Sequence, residues 1–480
     1  MGGTLESNQE KGEEAMVQKK QEKKDLDTSL KESKKDPLPS KEKKAPKPSP
    51  KSQALPQEIA DFRLEIHEVK TALPNPVWFI PSDKPIVVVS IVFKDAGRKN
   101  LNATYPGLDA FIAPMLIRGA GSYDHYTMME KLVDNGASLD FHVGSDDSVG
   151  TLWAPAPSYK EPLQLAVLAL TQPKLPSRFF EKIRKESLLG LEESLKIPET
   201  HLYEGLQKHF YPEGHPYRCS LEQIREGLKH AKVKDIRHYL KYLSQENLLI
   251  VVLGPRDKEK EIVQDIEKEF LKIPKTGIQP VQGDKPILQP KEDLHIEFDV
   301  PQTLIASEQR GFGRKDPHFF AKKLAVAVVA GHSLHSMLYR EIRTKHGLAY
   351  SCGGSNIENS LCSTLYFFVG TQTEKAEESK KFLKELLRKV QKEGISKADF
   401  ETAKKMFLGS FVVDRDSSTS IAHYVGTMRG FGYTLPEIQD YLQNYKKLPY
   451  EDVNKASKEV FNPDTLCFVT VGQKNAKKHI

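Results

Sequence analysis

The sequence contains no long apolar run and no apolar core after its N-terminal positive charges. No stretch approaches the roughly 20 consecutive apolar residues that span a bilayer, so we expect no membrane-spanning helix. The N-terminal residues also predict no secretory signal, and their acidic side chains argue against a transit peptide. We therefore expect a soluble chain, cytoplasmic as given or periplasmic if a signal peptide was removed, and its compartment stays unknown.

Cysteine is also scarce, with four residues in a chain of 480. The four lie far apart and form no C-x-x-C pair, at Cys219, Cys352, Cys362 and Cys467. This spacing disfavours a zinc knuckle and a disulfide framework. We predict buried free thiols.

The chain lacks a strong excess of charge of either sign, since its formal net charge is +6. Residues 1–52 hold thirteen Lys against ten Asp or Glu, so about half of the excess belongs to one tail. No concentrated basic face is expected, which argues against nucleic-acid binding. Residues 1–54 cannot bury enough apolar surface to offset their ordering entropy. We predict a disordered tether there, with a docking arm for an acidic partner as the alternative.

Apolar periodicity after this tail predicts a mixture of strands and helices. Short runs that are mostly rich in β-branched residues predict strands at 85–93, 247–254, 303–309 and 465–472. Helical periodicity predicts helices at 177–196, 318–343, 375–394 and 398–413.

A nearly fixed offset links the two halves of the chain. The Gly-Arg-Lys that begins at Gly97 recurs at Gly313, 216 positions later, and a predicted helix follows each copy. The strands that end at Gly254 and Gly472 lie 218 positions apart, and a helix of similar character precedes each. One repeated feature lies near the beginning of the unit and the other near its end, and both recur after nearly the same number of residues. This indicates a tandem duplication.

We therefore predict an α+β fold of two homologous lobes, each an antiparallel-type sheet with helices packed on it. The lobes are predicted at 55–273 and 293–480, each about 200 residues long. Residues 274–292 are rich in Pro, Lys and Gly and are predicted to link the lobes.

Three motifs occur in a consistent order along this duplicated unit. They are PGLDAFIAPMLIRGAGSYDHYTMMEKLVDNGASLDF at 106–141, YPEGHPYRCSLEQIREG at 211–227 and IRTKHGLAYS at 342–351. Together they resemble the insulinase, or pitrilysin, type of zinc metallopeptidase, in the branch of mitochondrial processing peptidases and short bacterial homologues. The resemblance covers about residues 57–475. It implies two α+β lobes that enclose a chamber for unfolded peptides.

The resemblance also implies where zinc should bind, and this chain departs from the pattern there. Active members carry H-x-x-E-H on the first helix, where two His bind zinc and the Glu activates water. The matching positions are Ala110, Ala113 and Pro114, and the third-ligand position falls near Glu192. A methyl group cannot bind a metal or accept a proton, so we predict no metal site and no cofactor in this chain. Pro114 is predicted to kink or restart the helix unless it lies in the first turn.

Two other groups of polar residues are candidates for a metal site. His332 and His335 are three apart and could share a helical face, but Glu341 is the single acidic residue at ligand spacing, so a site is disfavoured. A second group of polar residues lies on a predicted hairpin and consists of Asp140, His142, Asp146 and Asp147. We interpret it as a turn with Asp capping rather than as a metal site. His215, in a GHPY stretch, is predicted to fix a turn.

Arg343 and Tyr350 match an Arg and a Tyr with which active members hold the substrate. Arg343 lies in the last turn of a predicted helix, where a cation suits the helix dipole. Gly347 can adopt the left-handed conformation that ends the helix, and Leu348–Ser351 should continue as a strand. The alternative is that Arg343 makes a surface salt bridge and Tyr350 packs in the core.

A chain with the Arg and Tyr but without the zinc ligands resembles the non-catalytic subunit of the heterodimeric members. The resemblance implies that it binds unfolded peptide and supplies Arg343 and Tyr350 in trans to a zinc-bearing homologous partner. Alone, it is expected to cleave no peptide, and the formation of a homodimer is left open. The long glycine loop of the mitochondrial non-catalytic subunit is absent, which favours a bacterial-type partner. The alternatives are a structural scaffold like the inactive respiratory-complex core proteins, a stand-alone peptide-binding protein, and a metalloenzyme with a relocated site.

Overall fold

The computed structural model of the chain describes residues 63–474, which fall within one compact unit, Leu55–Ile480. The predicted disordered tail at 1–54 lies outside the described residues. Within the described part, no helix combines the length and the apolar character that crossing a bilayer requires.

The first lobe is built on a six-stranded sheet in the order β1-β2-β8-β3-β7-β6. Its strands are β1 (His67–Val69), β2 (Val77–Ser82), β3 (Ile86–Phe93), β6 (Ser138–Val143), β7 (Ser148–Pro155) and β8 (Leu248–Pro255). Every neighbouring pair is antiparallel except β2 and β8, which are parallel. A short hairpin of β4 (Gly119–Ala120) and β5 (Tyr123–Asp124) lies beside it in sequence.

The second lobe repeats this topology with five strands in the order β9-β13-β10-β12-β11. They are β9 (Leu294–Glu297), β10 (Gln302–Arg310), β11 (Ala349–Ile357), β12 (Thr364–Gln372) and β13 (Val469–Gly472). Again one pair is parallel, β9 with β13, and the rest are antiparallel. Reading across each sheet, β2-β8-β3-β7-β6 corresponds to β9-β13-β10-β12-β11. The predicted duplicated α+β fold is confirmed.

Burial explains why these runs form strands in these positions. In β3 the residues of both faces are buried, because helices cover the centre of the sheet on both sides. In β6 buried and exposed residues alternate strictly, as expected for an edge strand with one face in solvent.

The α-helices are short to medium in length and pack on the two sheets. They are α1 (Asp109–Leu116), α2 (His125–Asp134), α3 (Lys160–Thr171), α4 (Ser177–Ser194), α5 (Pro198–Phe210), α6 (Leu221–His230), α7 (Val233–Tyr239), α8 (Glu259–Phe270), α9 (Phe319–Ala330), α10 (Ala376–Glu393), α11 (Lys397–Val413), α12 (Ser418–Gly430), α13 (Leu435–Gln439), α14 (Tyr441–Lys447) and α15 (Tyr450–Val460).

The predicted single helix at 318–343 is wrong. The chain forms α9, leaves the helix at Gly331, and begins a separate π-helix at Tyr339–Lys345. Gly331 has an extended ψ of 154°, and a Cβ at that position would lie 2.6 Å from the carbonyl oxygen of Ala327. The apolar periodicity on both sides of this glycine conceals the break.

The two lobes exchange helices. Although α5 precedes the linker in sequence, it packs on β10 and β13 of the second sheet, where a Cβ at Gly205 would meet Val469 at 2.6 Å. In return α12 packs on β3 and β8 of the first sheet. The Arg429 guanidinium donates there to the carbonyl oxygens of Ile250 (2.7 Å) and Pro76 (2.5 Å). Each sheet therefore depends on a helix from the other half of the chain.

Residues 271–293 contain no helix or strand, and the predicted linker at 274–292 lies within this range. The middle of the linker is held by both lobes. The backbone N–H of Val281 donates to Asn100 of the first lobe at 2.8 Å, and that of Lys285 donates to the Leu361 carbonyl at 2.8 Å. The lobe boundaries themselves stay predictions.

All four cysteines are free thiols, as predicted. Cys352, Cys362 and Cys467 are buried, whereas Cys219 is half-buried. Burial raises the pKa of Cys352 to about 11 and that of Cys362 to about 12, so both thiols stay protonated at neutral pH.

Candidate functional site

Helix α1 carries the three positions that match the H-x-x-E-H motif of the resembled family, which are two zinc-ligand positions and the position of the water-activating Glu. Ala110 is exposed, and Ala113 and Pro114 are half-buried, so none of the three side chains presents a ligand atom. The helix is continuous through Pro114 and ends two residues later, at Leu116, so no second helix restarts there. Because the Pro114 ring has no N–H, the Ala110 carbonyl lacks its usual partner within the helix.

Helix α4 supports α1 and carries the residue at the third-ligand position. The Phe111 and Phe180 rings stack between the two helices with centroids 4.4 Å apart. Glu192 is exposed, and its carboxylate accepts a hydrogen bond from Arg225 at 2.9 Å. Among the described residues, no group of three or more His, Cys, Asp or Glu is arranged to hold a metal ion.

The expectation that His332 and His335 could share a helical face is wrong. Both lie in the turn between α9 and the π-helix, because the helix ends at Gly331. The His332 ring stacks on Phe368 at 5.4 Å, while the backbone N–H of His335 donates to the Ser333 hydroxyl at 3.0 Å.

The predicted hairpin around Asp146 is confirmed, but its carboxylates do not cap their own turn. Asp146 is buried and accepts hydrogen bonds from the Tyr217 hydroxyl and from the backbone N–H (2.9 Å) and hydroxyl (2.5 Å) of Ser360. Lys99, whose side chain is fully buried, hydrogen-bonds to Asp95 and donates to Ser360 at 2.7 Å. Since Ser360 belongs to the second lobe, this polar cluster joins the two lobes.

His215 is buried beside this cluster, in a turn as predicted. Its Nδ1 accepts from the backbone N–H of Tyr217 at 3.1 Å, and its Nε2 donates to the Lys285 carbonyl at 2.9 Å. Desolvation lowers the pKa of His215, which keeps the ring neutral for these two roles.

Arg343 lies in the π-helix and is exposed. Its guanidinium hydrogen-bonds to the Tyr339 hydroxyl one turn earlier and lies over that ring, 4.8 Å from the centroid. The helix ends at Lys345, and the φ of 60° at Gly347, two residues later, confirms the predicted left-handed conformation. The backbone N–H of Gly347 closes the turn by donating to the Arg343 carbonyl at 3.1 Å.

Tyr350 lies at the beginning of β11, the edge strand of the second sheet. Ala349 pairs with Thr371 and Ser351 with Gly370, so Tyr350 is the extra residue of a β-bulge. A bulge redirects a side chain at a sheet edge. The Tyr350 side chain is 55% exposed, and its hydroxyl accepts from the Gln372 amide at 2.8 Å.

The alternative of a surface salt bridge and a core tyrosine does not hold for this pair. Arg343 contacts a phenol rather than a carboxylate, and Tyr350 lies outside the core. No hydrogen bond or ring contact joins Arg343 and Tyr350 to each other within residues 63–474. Each donor is instead held by its own neighbour and faces solvent.

A cavity of about 570 Å³ lies between the lobes and reaches the zinc-type helix. We call it the Glu308 cavity; its polar lining includes Arg98, Asp109, Tyr203, Gln207, Tyr211 and Glu308. Ala110 also lines it. At its mouth Tyr203 is 58% exposed, whereas Gln207, Tyr211 and Glu308 are buried at its floor.

Helix exchange builds the floor of this cavity. Tyr203, Gln207 and Tyr211 follow one another at intervals of four residues along and just beyond α5, so they share one face. Glu308 faces them from β10, where it pairs across the strands with Tyr366. Burial raises the pKa of Glu308 to about 7, although hydrogen bonding by the Tyr211 side chain acts in the opposite direction.

Sequence reasoning missed this cavity. Its one visible signal was an acid inside the strand-like run TLIASEQ, which contains Glu308. Burial also raises the pKa of Asp109 at the mouth, where Arg98 lies 3.8 Å from its carboxylate and opposes the shift.

The fold and the site together define a metallopeptidase-like protein of two α+β lobes without ligand atoms at the zinc positions. Residues 232–407 match the family profile described as "Peptidase M16 inactive domain". Over this segment the chain is similar to the peptidase M16 family, the insulinase-type family that its motifs resemble.

Curated relatives cover most of the chain. The "Non-peptidase homolog YmxG" of Helicobacter pylori is 22% identical over 412 residues, which is 82% of this chain and 90% of the relative. An "Uncharacterized zinc protease" of Rickettsia felis is 22% identical over 397 residues, 79% of this chain and 90% of the relative. The relatives therefore include one named as a protease and one named as a non-peptidase.

Solved structures show the same fold. The crystal structure of a peptidase M16 inactive domain from Pseudomonas fluorescens aligns with a TM-score of 0.77 at 21% identity, covering 86% of this chain and 99% of that chain. The structure of a protease from Helicobacter pylori aligns with a TM-score of 0.73 at 16% identity, covering 85% and 99%.

Proposed function

We propose that this chain is the non-catalytic subunit of a heterodimeric M16 peptidase and supplies Arg343 and Tyr350 to the active site of a zinc-bearing partner. One contrast carries the proposal. The zinc-type helix has no ligand atoms at Ala110, Ala113 and Pro114, whereas two hydrogen-bond donors of the substrate-holding pair stay exposed at the edge of the second sheet.

The chemistry of these two side chains suits a role in trans. A guanidinium and a phenol can both donate to one carbonyl oxygen of an extended peptide, and the same bonds strengthen as that oxygen becomes an oxyanion. Zinc in the partner would supply the activated water. Arg343 and Tyr350 would bind and orient the peptide and stabilise the developing charge.

The local structure supports this role. Tyr339 holds the Arg343 guanidinium and Gln372 holds the Tyr350 hydroxyl, which limits the freedom each donor loses on binding. The name of the Helicobacter relative, a non-peptidase homologue, agrees with a chain that does not hydrolyse peptides by itself. The peptide substrate and the zinc-bearing homologue are the two partners proposed.

The test is reconstitution of the chain with a zinc-bearing M16 homologue from the same genome, followed by peptide-cleavage kinetics. Arg343→Ala should lower kcat/KM by roughly 10²–10³-fold, the usual loss for one oxyanion donor, without preventing assembly. Tyr350→Phe removes a single hydroxyl and should also lower kcat/KM.

Arg388→Ala is the matched control, because Arg388 is an exposed arginine of the same lobe that pairs with Asp464. It should leave kcat/KM unchanged. The role in trans is wrong if Arg343→Ala cleaves as fast as the control. A scaffold role would then be the better account, with the chain copurifying in a larger assembly.

A further inference from the structure

Two buried acceptor atoms on the floor of the Glu308 cavity have no donor among the described residues. They are Oε2 of Glu308 and Oε1 of Gln207, in side chains that are 7% and 5% exposed. A buried polar atom without a partner costs free energy, so native proteins usually supply it with a water, an ion or a ligand. Both residues line the same cavity.

The charges around the floor do not satisfy these acceptors. Among the described residues that line the cavity, Arg98 is the one Lys or Arg, and it lies at the mouth, where it faces Asp109 at 3.8 Å. No Lys or Arg in residues 63–474 forms an ion pair with Glu308. Tyr211 contacts the Glu308 carboxylate through its hydroxyl, and its ring forms part of the wall.

We infer that this cavity binds an organic cation, a primary ammonium or a guanidinium, whose N–H groups donate to Glu308 Oε2 and Gln207 Oε1. Such a group carries several donors and a positive charge, which complements two acceptors and one unpaired acid. Aromatic walls formed by Tyr203 and Tyr211 favour a cation further. The volume of about 570 Å³ is that of a small-ligand site.

Other ligand classes fit less well. Above the raised pKa of Glu308, where its carboxylate is ionised, an anion or a carbonyl would bring a third acceptor towards two acceptors. A metal ion finds no cluster of three His, Cys, Asp or Glu here within the described residues. The cation can come from a free amine or from a basic side chain of a peptide that passes the mouth at Ala110. Only this second source rests on the proposed function.

The test is isothermal titration calorimetry of the full chain without a partner at about pH 8, above the raised pKa of Glu308. Butylguanidinium and butylammonium are the probes, and butylurea is the neutral analogue of matching shape. Wild-type protein should bind the cations and show little affinity for butylurea. Glu308→Gln, which keeps the side-chain shape, should weaken cation binding by roughly 10- to 100-fold, the loss expected for one charge-assisted bond.

Asp147→Asn is the matched control. Asp147 is a half-buried acid whose pKa is also raised, but it lines a different cavity and accepts from the Asp95 backbone. It should bind the probes as wild type does. Gln207→Leu, like Glu308→Gln, should bind the cationic probes more weakly than wild type does. The inference is overturned if Glu308→Gln and wild type bind equally, if butylurea binds as well as butylguanidinium, or if no probe binds.

Ten-residue peptides that differ by one arginine or citrulline distinguish the two sources of the cation. A preference for the arginine peptide that disappears in Glu308→Gln identifies a basic side chain. Binding of small cations without that preference identifies a free amine, and both results support the site. Because these titrations need no partner, their failure leaves the effect of Arg343→Ala untouched, and the reverse also holds.

Discussion

Glu308 is an ionisable side chain in a strand whose other residues are apolar or neutral up to Arg310, and its protonation should control stability. Burial raises its pKa in the folded chain to about 7 from the ordinary value of 4.5. Between these values the folded state keeps a proton that the unfolded state has released. The free energy of unfolding therefore falls as the pH rises through this window.

Glu308→Gln should remove that dependence. Between about pH 5 and about pH 8 the wild type should lose roughly 3 kcal/mol in its free energy of unfolding. The variant should not show this loss. Urea denaturation at both pH values measures the difference. Parallel pH profiles for the two proteins would show that Glu308 ionises at an ordinary pKa, with the carboxylate hydrated.

At the scale of single residues, the sequence identified what is missing better than what is present. Ala110, Ala113 and Pro114 exclude ligation whatever the fold, because they contain no ligand atom. Glu308 and Gln207 could not be recognised in the same way. A Glu or a Gln acquires an unusual pKa or an unpaired atom only from surroundings that lie far away in the chain.

At the scale of elements, the segment from the π-helix to β11 depends on one glycine. Gly347 has a φ of 60°, and a Cβ added there would meet no atom within 4 Å, so an alanine is strained by backbone conformation alone. Gly347→Ala should lower the free energy of unfolding by about 1 kcal/mol. It should also lower the activity of the reconstituted heterodimer, because the turn sets the relation between Arg343 and Tyr350.

Gly409→Ala is the same chemical change, but it should alter the free energy of unfolding in the opposite direction. Gly409 lies inside α11 and also has no atom within 4 Å of an added Cβ. Alanine should raise stability there by roughly 0.5–1 kcal/mol, since it forms helix better than glycine. Denaturation midpoints of the two variants that move in the same direction would contradict the assignment of the Gly347 turn.

The elements that sequence predicts well are those with a clean local pattern. The apolar run of β3 and the amphipathic pattern of α10 identify their structures without tertiary help. The break at Gly331 escapes prediction because it lies inside a long apolar pattern. The bulge at Tyr350 escapes prediction because it arises from pairing with β12.

At the scale of the whole molecule, helix exchange should make the two lobes unfold together. Both tryptophans, Trp78 and Trp153, lie in strands of the first sheet, so their fluorescence reports the first lobe. Helix α12 covers this sheet and belongs in sequence to the second half. We expect the fluorescence transition in urea to coincide with the transition in far-ultraviolet circular dichroism.

Arg429→Leu should weaken this coupling most. Arg429 is buried, lies 4.3 Å from the Trp78 ring and donates to two carbonyl oxygens of the first lobe. Leucine leaves both oxygens without that donor, at a cost of about 3 kcal/mol in the free energy of unfolding. Arg388→Leu, at an exposed site, should cost less than about 0.5 kcal/mol. Equal losses for the two variants would refute the role of Arg429 at the lobe interface.

The sequence by itself determined three features of this protein. The fixed offset indicated two lobes, the first helix carried no zinc ligand, and the Arg343–Tyr350 segment contained its own turn signal at Gly347. Each depends on residue identity or on neighbours close in the chain. The tertiary structure alone decided the exchange of α5 and α12, the cluster around Lys99, and the Glu308 cavity. In that cavity Gln207 and Glu308 meet, although they lie on opposite sides of the linker in sequence. The sequence could not show this, because the sheet on which a helix packs depends on the whole chain and leaves no periodic pattern.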